Sequence, residues 1–139
     1  MVLKDFRDGY YTASGKASDI ARTLALSAIA IVWIFKVDTK QGAYGFAAPL
    51  LFVAWGAVIA LSLDLLQYAW GALIWGAWCR YKERSGVKPG DELDAPPFFN
   101  WPSIVFFWSK LLVIAIVYGR LIAYLGQRFY AITPTIPAP

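Results

Sequence analysis

Histidine is absent from the 139 residues, and cysteine occurs once, at Cys79. The first absence removes imidazole as a metal or haem ligand and as a catalytic base. The second rules out an internal disulfide framework. Charge is scarce too, at 16% of residues, against about 25% in soluble domains. No enzymatic activity and no metal or cofactor are therefore expected. Residues 1–8 carry no apolar run and no small-residue cleavage site, so a removable signal peptide is not expected either, and the first helix would act as its own insertion signal.

What the chain has instead is oil. Apolar residues make up 59% of it, and they fall in three long blocks rather than in the amphipathic stripes of a soluble core. The fold class expected is all-α: one polytopic membrane domain over residues 1–139 with three transmembrane helices, an N-terminal amphipathic helix and an extended Pro-rich C-terminal tail.

The leader, residues 1–17, places Leu3, Phe6, Tyr10, Ala13 and Ala17 at spacings of three and four, with charges on other faces. Ser18 and Asp19 read as a helix start, and the first span follows over 20–36. It is short for a core of about 30 Å unless Arg22 snorkels backwards, with Trp33 and Lys36 at the opposite interface. A polar loop over Val37 to Tyr44 leads to Pro49, at the first turn of a long second span, 46–79, which either tilts or projects beyond the bilayer. Residues 80–100 form an aqueous loop with a Pro89-Gly90 turn. Pro102 opens the third span, 102–125, and Gly126 offers a stop. The tail, 131–139, contains three prolines and is expected to be extended.

Three spans put the N-terminus and the 80–100 loop on one side. That side carries Lys4, Arg7, Lys16, Arg80, Lys82, Arg84 and Lys88, whereas Lys36, Lys40 and Arg128 lie on the other. The positive-inside bias makes the first side cytoplasmic, in a bacterial inner membrane, and puts the C-terminus outside. The net charge of +4 does not argue for nucleic acid, because most aromatics lie within the apolar blocks. The bilayer is the expected partner.

Charges inside lipid cost about 3 kcal/mol each at the bilayer centre and need a reason. Asp64, Lys110 and Arg120 are the informative ones, with Gln67 one turn beyond Asp64. Counted from Trp78 and Trp101, Asp64 lies ~21 Å deep, Lys110 ~14 Å and Arg120 ~28 Å. The acid thus falls between the two cations and can pair with either. Such a set lines a polar pathway or fixes helix register. Gly56 and Ala60, then Ala72 and Gly76, are four apart and suit close helix packing. With few faces buried inside one monomer, a homo-oligomer or a larger membrane complex is expected. Trp70, Trp75, Trp78, Tyr81, Phe98, Phe99 and Trp101 read as an aromatic belt. Cys79 reads as an interfacial thiol.

No motif names a family. The general build resembles, in organisation, small membrane effectors of bacterial defence and stress systems. That resemblance implies a channel-like, membrane-depolarising effector. The alternative is an accessory or scaffold subunit of a larger membrane complex.

Overall fold

The computed structural model describes residues 3–38, 44–86 and 96–132. It is built of three long helices: α1 (Leu3–Ile34), α2 (Ala48–Arg84) and α3 (Trp101–Ile132). All three are long and apolar enough to cross a membrane. A two-residue antiparallel ladder, Val37–Asp38 with Tyr44–Gly45, closes the turn between α1 and α2. A 3-10 turn, Pro97–Asn100, leads directly into α3. The tip of the first turn (39–43), the 87–95 part of the expected aqueous loop with Lys88, and 133–139 of the expected tail lie outside the described residues.

Three expected boundaries move. The helix start at Ser18 is overturned, because α1 runs unbroken from Leu3 to Ile34. Its hydroxyls do not compete for the backbone amides that a cap would take: Thr12, Thr23 and Ser27 bond to the carbonyl four residues back, at 2.8–3.0 Å, and Ser18 points into the bundle. α2 continues through residues 80–84, where a loop is expected. It stops only where Gly86 turns left-handed at φ 80°, with Gly86 N–H donating to Glu83 O at 3.1 Å. Lys82 and Arg84 in the last turn suit the negative end of the dipole. α3 runs past Gly126 to Ile132. Gly126 does not adopt a positive φ as Gly86 does, and no proline follows before residue 134.

The core is one seam per helix. On α1 the buried residues are Ser18, Ala21, Ala25, Ala28 and Val32; on α2 they include Leu50, Val53, Ala57, Ala60 and Asp64; on α3 they are Phe107, Lys110, Ile114, Val117 and Leu121. Each set steps by three and four in alternation, the spacing that keeps one stripe facing its partners in a coiled coil. Small residues on α1 let the backbones approach closely. At Gly56 the approach is extreme: a Cβ there would stand 2.4 Å from Val117 Cγ2. Tyr118 fixes the relation of α3 to α1 by donating its hydroxyl to Leu24 O at 3.1 Å. Outside the seams, Trp55, Leu65, Leu73, Trp108, Leu112 and Ile122 are exposed, as expected of surfaces that face lipid rather than water.

Candidate functional site

The seams of α1, α2 and α3 carry Ser18, Asp64 and Lys110 at one level, where the apolar core gives way to a polar layer. Asp64 is 7% exposed and Lys110 1%, so both charges are largely withdrawn from solvent and each must be matched by neighbouring groups. Asp64 Oδ1 accepts from Ser18 Oγ at 3.0 Å and from Lys110 Nζ. Asp64 Oδ2 accepts from Arg22 twice, from Nε at 3.0 Å and from Nη2 at 2.8 Å. These bonds fill the roughly four acceptor positions of a carboxylate. Lys110 Nζ also donates to Ser18 Oγ at 2.6 Å and Gln67 Oε1 at 2.8 Å, which engages all three of its protons. Among the described residues no buried side-chain nitrogen or oxygen lacks a partner.

Charge is balanced outward from this centre. Two cations face Asp64, and the second carboxylate, Asp19, stands 3.6 Å from Arg22 at the rim. Arg22 also covers the ring of Tyr68, 5.9 Å from its centroid. Chemically, a carboxylate saturated in this way has no free lone pair for taking a proton from a substrate. Its bonds run from α2 to Ser18 and Arg22 on α1 and to Lys110 on α3, so one carboxylate links all three helices.

The layer separates two environments. Toward the N-terminal end of α1 a cleft of about 300 Å³ opens, lined among others by Tyr10, Tyr11, Tyr68 and Ser103, and reaching Ser18 and Gln67. On the other side Ala21, Ala25, Ala60 and Leu61 close over the ion pairs and leave no space for a water molecule.

The expected site residues divide accordingly. Asp64, Gln67 and Lys110 come together, and of the two candidate cations it is Lys110 that meets the acid. Arg120 does not join them: it is exposed on α3, its guanidinium 5.6 Å from the centroid of Phe52. Gly56 and Ala60 are buried within the monomer against α3 and α1, so their small size serves packing inside one chain. Ala72 and Gly76 are exposed farther along α2. Of the basic face, Lys16, Arg80 and Arg84 are exposed, and Lys82 lies 4.7 Å above the Trp78 ring. The side chains of Lys4 and Arg7, and Lys88 altogether, lie outside the described residues. Trp78 packs edge-on against Phe99 at 5.3 Å, tying α2 to the turn before α3.

Arg22 and Ser18 are the members that sequence reasoning missed. The signal for them is the run Ser18, Ala21, Ala25, Ala28: small residues at three-four spacing mark the buried stripe of α1, and Arg22 lies one turn from Ser18 beside it. No family model, no curated protein and no solved structure matches this chain.

Proposed function

We propose that this chain is a non-enzymatic membrane subunit that works by assembly, an accessory or scaffold protein whose rigid three-helix body docks within a larger membrane complex or against copies of itself. The observation that carries this reading is the saturation of Asp64 by Ser18, Lys110 and Arg22. A carboxylate in that state sets helix register and offers nothing to a passing solute. The lipid-level faces, rich in exposed Trp, Leu and Ile, supply ample surface for partner helices. The distribution of Lys and Arg supports an orientation with the start of α1 and the end of α2 in the cytoplasm and the C-terminus outside, and the membrane we propose is a bacterial inner membrane.

A second reading, a channel-like effector that depolarises the membrane as an oligomer, is favoured by the polar cleft that reaches Ser18 and Gln67 from one side. Expression in cells loaded with a potential-sensitive dye separates the two. An unchanged potential, with the chain isolated as a homo-oligomer or together with foreign membrane subunits, supports the scaffold. Depolarisation that disappears in Asp64→Asn refutes it in favour of the effector.

A further inference from the structure

Arg120 is an intramembrane cation that the polar layer does not use. Its neighbour Phe52 is the fifth residue of α2, ~6 Å from the start of that helix, so the guanidinium stands within reach of the headgroups at that end of the bundle. Below it an apolar groove of about 190 Å³ runs between α2 and α3, lined by Phe52, Trp55, Ile59, Val113 and Ile116 with Gly56 at its floor. Ile116 and Val113 follow Arg120 at one and two turns along α3, so the groove leads from the cation toward the middle of the membrane.

We propose that this groove is a lipid site, holding one acyl chain of an anionic phospholipid whose phosphate is bound by Arg120. The chemistry fits part by part: hydrocarbon lies on aliphatic and aromatic side chains, and a guanidinium grips phosphate oxygens with two parallel hydrogen bonds. Charge complementarity also favours lipid over a second copy. The acidic residues of the helices, Asp5, Asp8, Asp19, Asp64 and Glu83, all lie toward the opposite end, and the acidic residue at the Arg120 end, Asp38, belongs to the ladder between α1 and α2 and not to a helix face.

Native mass spectrometry of the purified full chain tests this, with phosphatidylglycerol or phosphatidylcholine of the same acyl chains added to the detergent. The natural chain is expected to retain phosphatidylglycerol several-fold better. Arg120→Ala and Arg120→Gln are expected to bring that ratio close to one, Arg120→Lys to keep part of it, and Val113→Phe to lower retention of both lipids by filling the groove. Equal retention of the two lipids by the natural chain overturns the proposal. So does an undiminished anionic preference in a folded Arg120→Gln protein, or a preference that depends on Arg128 instead.

Discussion

Asp64 and Lys110, 46 positions apart, meet at the level where all three helices come together, each buried and each with every hydrogen-bonding position occupied. The two are not equivalent in what their loss leaves behind. Asp64→Ala strands two cations, Lys110 and Arg22, and is expected to cost about 3 kcal/mol. Lys110→Met leaves the acid with Arg22 and Ser18 and fills a similar volume, so it is expected to cost less. Thermal unfolding in nanodiscs ranks them, and a lower midpoint for Lys110→Met than for Asp64→Ala contradicts this account of the layer.

Arg22 binds Asp64 through two nitrogens of its fork, a geometry that lysine lacks. Arg22→Lys is therefore expected to lower the unfolding midpoint measurably, and Arg22→Ala to lower it further. Both should remain above Asp64→Ala, because Arg22 is partly exposed and Lys110 still holds the acid. A midpoint for Arg22→Lys equal to that of the natural chain would show that the fork contributes nothing.

At Gly56 the missing Cβ admits Val117. Gly56→Ala forces the two helices apart or Val117 out of its rotamer, at about 1–3 kcal/mol. Val117→Ala removes the clash, so the double variant should be more stable than the sum of the two single losses predicts. Strict additivity in a double-mutant cycle would place the contact elsewhere.

Tyr118 donates to Leu24 O, a carbonyl within the body of α1. Tyr118→Phe keeps the ring and loses one hydrogen bond, with an expected cost of about 0.5–1 kcal/mol. Hydrogen exchange should show local loosening of α1 against α3, and uniform protection along both helices would contradict it.

The three spans were legible because each apolar block belongs to a helix long and apolar enough to cross a membrane, and Asp64 and Lys110 stood out as charges within them. The difference of ~7 Å between their depths counted along the sequence is within the reach of a lysine side chain. Helix ends were less legible: Gly126 and Gly86 look alike as letters, and only the left-handed backbone of Gly86 ends a helix. Ser18 and Arg22 were misread for a related reason, each having a respectable local role, cap and snorkel, that competes with the long-range one. The seam itself was hidden in α2 because almost every face of that helix is apolar. Neither hydrophobicity nor side-chain size separates a lipid face from a buried one there: Leu50 and Val53 are buried beside Gly56, Ala57 and Ala60, while Ala72 and Gly76 are exposed along with Trp55, Leu65 and Leu73.

The alternation of three and four in each seam falls short of the 3.6-residue turn of a straight helix, and the shortfall amounts to ~20° per seven residues. Rods that keep such stripes in contact wind about one another in a left-handed rope. A fourth rod laid lengthwise along this body and kept in contact over several turns would follow the same winding. In that arrangement its own contact residues would recur at the same uneven stride.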